Sequence, residues 1–348
     1  MRRPPLSALL ARADLPSRLL ALRQRLPPLP GGPALWITLL SFGFLLAAFV
    51  SHGRQMLELS LDLQGWLWLL LGVGVSLLSL LANGLGLGVV LRWLELRPRW
   101  MPLLAMYLDT NLRKYLPGGI WHLTSRLQRL RAADGPLREP AGLALALAGV
   151  LLDPLLAAVA ALALVAVGGW QNGLGLIALV PLALLLPRWL LPLLRRLEQR
   201  QARRLQVGGE LVAETDLKPL GTPIPAAPLA AALAGYPLLP LLALLGFVLL
   251  RFAGFACCVF AFDLQTSLAW PSWLAGFALA WAVGLVVPGA PGGLGVFEAA
   301  LLLRLGTAIP EGPLLAIALS YRLVVSLADL LAAGLVQLDH WLDRRLAI

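Results

Sequence analysis

Long apolar runs separated by short polar clusters make up most of this chain, and the runs are continuous in Leu, Ala, Val and Gly rather than alternating. A helix needs about 20 such residues to cross a hydrocarbon core of ~30 Å, whereas a membrane barrel needs alternation. In lipid every backbone polar group must bond within the protein, so continuous runs mean helices. The pattern predicts spans over residues 35–50, 65–91, 140–167, 172–194, 236–262 and 272–287, a short apolar helix over 296–307, and a last span over 313–338. The expected fold class is all-α: a polytopic integral membrane protein of about eight spanning or half-spanning helices.

Two places break this pattern. Residues 92–139 are polar, basic and aromatic, with Pro117, Gly118 and Gly119 at their centre. Proline and paired glycines stop a helix, so the segment reads as two helices around a break. Asn111, Arg113, Lys114 and Tyr115 precede the break, and Trp121, His122, Thr124, Ser125 and Arg126 follow it. The second break, residues 288–298, reads PGAPGGLGVFE: Pro288, Pro291, Gly289, Gly292, Gly293 and Gly295, then an acid, Glu298, inside the next apolar helix. Irregular backbone at membrane depth is tolerated only where protein or a watery cavity satisfies it, so each break marks a candidate site. Helix N-termini at such breaks favour anions. Pro117 and Pro291 lie 174 residues apart, half of the 348-residue chain. Interrupted segments in corresponding halves point to a transporter site between structural repeats; the sequence leaves open whether the repeat is inverted or parallel.

Composition agrees with the membrane reading. Hydrophobic residues are 59% and charged residues 13%, against about 25% charged in soluble domains. The net charge of +10 suggests nucleic acid until its distribution is followed. With the N-terminus inside, 24 of the 28 basic residues fall on one side of the membrane, and only Arg54 falls on the other. That bias marks a cytoplasmic face and predicts both termini inside, in an inner or plasma membrane, with no nucleic-acid partner. It also requires residues 92–139 to leave on the side where they enter, as a surface-lying or re-entrant segment. The domains expected are a cytoplasmic Pro/Arg-rich arm, 1–33, a transmembrane domain, 34–340, enclosing a cytoplasmic loop, 195–228, and a tail, 341–348. For the arm, a transit peptide is the alternative. The 195–228 loop is the longest hydrophilic stretch and falls short of the ~50 residues of the smallest domains, so no soluble catalytic domain is expected.

Charges inside spans are costly and mark candidate functional positions. They are Asp153, Arg251, Glu298, Arg304, Arg322 and Asp329. Arg322 and Asp329 are seven apart and share a helix face. Glu298 and Arg322 are the expected cross-helix pair, since buried opposite charges need partners. The NGLGLG run at 83–88 lacks a strand–turn–helix context and reads as close helix packing through Gly84 and Gly88. Cys257 and Cys258 read as small buried residues. No nucleophile elbow, phosphate loop or zinc-protease spacing occurs, so no enzyme activity, cofactor or metal is expected.

At the two breaks the chain resembles a known family. NLRKYLPGGIWHLTSR, and PGAPGGLGVFEAALLL followed by ALSYRLV, are similar to two regions of the lysylphosphatidylglycerol synthase transmembrane, or flippase-like, domain family. The order of the motifs also matches, over roughly residues 35–340. The resemblance implies about eight membrane helices and the lipid-moving half of a synthase–flippase pair, without the aminoacyl-transfer domain. It carries over to Lys114, Tyr115, Pro117, Gly118 and Trp121 in the first motif. In the second it carries over to Pro291, Gly292, Gly293, Gly295, Glu298, Tyr321 and Arg322.

The function expected is movement of an anionic phospholipid or lipid-linked sugar across the bilayer. Asn111, Arg113, Lys114, Tyr115, Pro117, Gly118, Gly119 and Trp121 would hold the head group. Pro288, Pro291, Gly292, Gly293, Gly295, Glu298, Tyr321 and Arg322 would form the second part of the path. The partners implied are membrane lipids, with a homo-oligomer or a separate lipid synthase as further candidates. The alternatives are a membrane-embedded transferase with a lipid-linked donor, using His122 or Asp109 as base, and a non-catalytic partner of a separate synthase.

Overall fold

The computed structural model describes residues 61–115, 121–169, 174–190, 192, 235–287 and 291–346. The arm at 1–33, the span at 35–50, the loop at 195–228, and Pro117, Gly118, Gly119 and Pro288 lie outside the described residues. Among the described residues there are nine helices of ten residues or more and no strand. They are α1 (Leu63–Trp93), α2 (Trp100–Asn111), α3 (Trp121–Arg131), α4 (Leu143–Gly169), α5 (Leu174–Leu184), α6 (Leu238–Ala261), α7 (Trp270–Val286), α8 (Val296–Leu305) and α9 (Glu311–Leu346). Short 3-10 turns at Leu112–Tyr115 and Pro291–Gly293 stand at the two breaks. α1, α4, α6 and α9 are long and apolar enough to cross a membrane, and α7 is a shorter apolar helix. This is a membrane-embedded helical protein.

Three elements differ from the sequence expectation. The span expected at 172–194 contains α5, which stops at Leu184, and a turn at 185–186 precedes Pro187. Proline restricts the residue before it to extended backbone and disfavours helix there. The last span runs on through Leu346, so α9 takes in most of the expected tail. The region expected to hold a sixth span and a separate short helix is instead one antiparallel pair, α7 and α8.

Directions follow from which residues touch. Let the near end of the bundle be where α1 starts. There Asp62 caps α1 by accepting the Gly65 N–H at 2.7 Å, a typical N-cap bond. A Cβ on Gly65 would stand 2.8 Å from the Ala261 carbonyl, and one on Gly86 2.8 Å from Leu244. So α6 runs antiparallel to α1. A Cβ on Gly72 of α1 would stand 3.4 Å from Val324, and Leu80 further along clusters with Ala328, Ala332 and Val336, which places α9 parallel to α1. Gly149, early in α4, packs on Leu91, late in α1, so α4 starts at the far end.

Between α1 and α4, α2 and α3 form a hairpin that enters from the far end. Its base is closed by an isolated bridge between Pro98 and Leu137. Arg99 N–H donates to Pro136 O at 2.8 Å, Arg138 N–H to Arg97 O at 3.0 Å, and the Arg99 guanidinium to Gly135 O. The chain thus enters and leaves on one side, as the charge distribution requires. α2 lies close on α1 because Gly84 and Gly88 remove side chains there: a Cβ on Gly84 would stand 2.7 Å from Leu104, and one on Gly88 would strike the Trp100 ring. The NGLGLG run is therefore a packing surface, and small residues at membrane helix contacts do this generally.

α7 and α8 form a second hairpin, which enters from the near end. Gly276 of α7 faces Leu305 of α8, and Gly284 faces Phe297. The two hairpins therefore point at one another from opposite ends. α1, hairpin α2/α3 and α4 make one half; α6, hairpin α7/α8 and α9 make the other, with every direction reversed. The halves share a detail. α1 and α6 both end on an acidic residue of positive φ, Glu95 (62°) and Asp263 (54°). Each stop is tied by the same six-residue bond, Leu96 N–H to Leu91 O at 2.9 Å and Leu264 N–H to Val259 O at 3.1 Å, the Schellman arrangement. The halves form an inverted repeat, which answers the question the sequence left open.

Opposite approach of the hairpins can be tested by labelling. With Cys257 and Cys258 replaced by alanine, Asp134→Cys and Thr266→Cys are expected to react with a membrane-impermeant maleimide from opposite faces of sealed vesicles. Both positions are exposed loop residues next to a hairpin base. Labelling of both from one face would overturn the inverted arrangement.

Candidate functional site

The hairpin tips meet about halfway along α9. Gly292 has φ +59°, and a Cβ on it would stand 3.1 Å from Tyr115 Cε1. Positive φ and this contact both call for glycine. α9 holds each tip with one charged side chain, and the two charges are opposite.

Arg322 holds the second tip. Its Nε donates to Glu298 Oε1 at 2.8 Å, Nη1 to the Gly292 carbonyl at 2.5 Å, and Nη2 to the Gly293 carbonyl at 2.6 Å. Glu298 Oε2 accepts the Gly295 N–H at 2.7 Å, which caps α8. The carboxylate is fully buried and the guanidinium 19% exposed. The expected Glu298–Arg322 pair is thus present, and it does more than balance charge. It satisfies two carbonyls and one N–H left over by the break, where Gly293 and Gly295 also have positive φ. At the N-terminus of α8 the Gly295 N–H is thus taken by Glu298. Tyr321, buried beside Arg322, sits in an aromatic cluster with Phe255, Phe277 and Phe297 at centroid distances of 5.5–5.6 Å, and Arg322 lies 4.8 Å over the Phe297 ring. Tyr321 is a packing residue for this tip.

Asp329 holds the first tip. Its Oδ1 accepts from Asn111 Nδ2 at 2.8 Å. Its Oδ2 accepts from the Tyr115 hydroxyl at 2.6 Å and from Lys114 Nζ at 2.6 Å. Ser326, one turn back on α9, lies 3.4 Å from the same hydroxyl. Asp329 is fully buried and Lys114 is 19% exposed. Of the expected head-group residues, Asn111, Lys114 and Tyr115 thus converge on an acid of the other half. Arg113 is 44% exposed, reaches Ser125 Oγ and stands 3.9 Å from Asp109. Trp121, half-exposed, starts α3.

Sequence reasoning placed Asp329 on the face of Arg322 but gave it no partner. It also missed a buried pair behind the first tip. Arg126 Nη1 donates to Asp153 Oδ2 at 3.3 Å, its Nε to Thr110 Oγ1 at 3.3 Å, and its carbon lies 3.7 Å over the Tyr107 ring. Asp153 stood out as an in-span acid; of the three arginines of α3, Arg126, Arg129 and Arg131, the partner is Arg126, the one on the buried face with Leu127 and Leu130. Arg251 is the remaining central cation. Around the tips the described residues bring together six cations, Arg113, Lys114, Arg126, Arg129, Arg251 and Arg322, with four carboxylates, Asp109, Asp153, Glu298 and Asp329.

The fold and site define a class: a helical membrane protein in which two opposed, broken hairpins meet at a charged centre. No protein-family model and no curated protein matches the chain.

Glu298→Ala and Arg322→Ala are each expected to cost about 3 kcal/mol in thermal or denaturant melts of the solubilised protein, since each strands a buried partner. The double variant should lose clearly less than the two single losses together. Glu298→Gln keeps an acceptor for the Gly295 N–H and should lose less than Glu298→Ala. Strict additivity of the two alanine variants would show that the pair is uncoupled.

Proposed function

We propose that this chain is a lipid translocase-like protein that passes an anionic head group, of a phospholipid or a lipid-linked sugar, between its two hairpins while the tails stay in the bilayer. The observation that carries the reading is the meeting of two broken hairpins, from opposite ends, at a centre where cations outnumber carboxylates. Opposed breaks of this kind put a site at mid-depth with a path to either face. The surplus positive charge suits an anion. Lys114 and Arg322 are each partly exposed in front of a buried carboxylate, so the open side of the centre is cationic.

In this reading α1, the first hairpin, α4, the α5 region, α6, the second hairpin and α9 join the span that the sequence predicts at residues 35–50 to make eight spanning or half-spanning elements. The far end is cytoplasmic, because Arg92, Arg97, Arg99, Arg131 and Arg138 gather there, and both termini lie inside. The motif resemblance to the lysylphosphatidylglycerol synthase transmembrane, flippase-like family supports the same function from the sequence side. It carries over to Lys114, Tyr115 and Trp121 at the first break and to Glu298 and Arg322 at the second. No chemical step is asked of the chain, which moves a ligand without altering it.

Reconstitution into liposomes tests the proposal. The chain is expected to speed the exposure of fluorescent anionic phospholipid to an impermeant quencher. Lys114→Met should reduce that rate about tenfold, the effect of one charge-assisted hydrogen bond. No acceleration for any anionic phospholipid or polyprenyl-phosphate lipid would overturn it.

A further inference from the structure

Arg251 differs from the other charges at the centre. It lies midway along α6 and is 5% exposed. Among the described residues its Nε and Nη1 have no hydrogen-bond partner. Arg322 has a carboxylate and two carbonyls, Lys114 has Asp329, and Arg126 has Asp153; Arg251 has only the Phe247 ring, 5.6 Å from its guanidinium carbon. A guanidinium stays charged at any pH of interest, so burial cannot be relieved by losing a proton. A buried charge without a partner is strongly disfavoured.

Its electrostatic reach takes in Lys114 and four groups that carry oxygen: Tyr321 and Asp329 of α9, Tyr115 of the first tip and Tyr107 of α2. Three of the four are phenols. The fourth, Asp329, already accepts from Asn111, Tyr115 and Lys114. On α1, Ser76 is buried with an unpaired hydroxyl, and it packs on Gly254, one turn along α6 from Arg251. Two guanidinium nitrogens with no acceptor bonded to them among the described residues, beside a carboxylate already taken, make an acceptor-hungry site. Tetrahedral oxyanions supply acceptors with charge.

We propose that Arg251 anchors a phosphate oxyanion, as a mono- or diester, between α1, α6, α9 and the first hairpin tip. The identity of that phosphate as a lipid head group rests on the translocase reading; the anion site itself does not.

The test uses the full chain in detergent, titrated with dihexanoyl phosphatidylglycerol, with inorganic phosphate and with dihexanoylglycerol, and read by Tm and calorimetry. Phosphatidylglycerol is expected to raise Tm and dihexanoylglycerol is not. Arg251→Met should leave the Tm without ligand unchanged or higher, because an unpaired charge is gone. It should weaken phosphatidylglycerol binding about tenfold or more. Arg251→Lys should keep part of the binding. A rise with the lipid alone supports a head-group site. An equal rise with inorganic phosphate supports the anion site and counts against a lipid ligand. Wild-type affinity in Arg251→Met, or equal response to dihexanoylglycerol, overturns the proposal. So does failure of both Arg251→Met and Arg251→Gln to fold, since the protein itself would then be what holds Arg251. Arg251-dependent binding without lipid movement in liposomes would end the translocase reading and leave the site standing.

Discussion

A helix that breaks inside an apolar bundle leaves carbonyls and N–H groups with no water to take them, and each such group is expensive. Here the cost is met by one side chain. Arg322 reaches two carbonyls of the Pro291–Gly293 turn while pairing with Glu298, and Glu298 in turn takes the Gly295 N–H. Lysine could not do this, because its ammonium is a point charge, whereas the guanidinium offers several donors in one plane. The hairpin, its positive-φ glycines and its contact with Tyr115 all rest on this cluster. The aromatic packing of Phe255, Phe277, Phe297 and Tyr321 then fixes the same tip from its apolar side.

α9 solves the converse problem two turns on. The first tip brings donors, Asn111, Lys114 and Tyr115, so the helix offers an acceptor, Asp329. One helix of the second half thereby holds both hairpins, its own with a cation and the other half's with an anion. The inverted repeat explains how the tips come to the same depth: two equivalent hairpins, entering from opposite ends, must meet near the middle. It does not require equivalent contacts. Each closing span, α4 and α9, carries a buried aspartate, but Asp153 binds Arg126 behind the tip whereas Asp329 binds the tip itself.

The sequence made α1, α4, α6 and α9 legible because length and apolarity alone define such spans. It also exposed the breaks, since Pro-Gly-Gly has few other uses inside an apolar run, and the Gly84/Gly88 contact, since close approach needs missing side chains. Glu298–Arg322 was readable because two in-span charges of opposite sign need each other. Other features were hidden for one reason. A helix that is apolar all round has no polar face to reveal which neighbour it meets. So the direction of the repeat, the docking of Asn111, Lys114 and Tyr115 on Asp329, and the isolation of Arg251 all waited on tertiary structure. The return of α7 through α8 stayed open for a related reason: a 17-residue apolar helix is of ambiguous length, and only its pairing with α8 shows that it turns back.

The two locks on α9 differ in what could open them. The Arg322 lock is made largely of backbone carbonyls and an intramolecular carboxylate, so releasing it exposes polar backbone to an apolar surrounding. The Asp329 lock is made of side chains alone: an ammonium, a phenol and an amide, all donors, on one carboxylate. A phosphate presents the same acceptor chemistry and charge sign as Asp329, so an anion arriving at Lys114 can replace the carboxylate bond for bond. A cation or a neutral head group cannot. Opening the first lock bares one carboxylate, whereas opening the second also bares two backbone carbonyls.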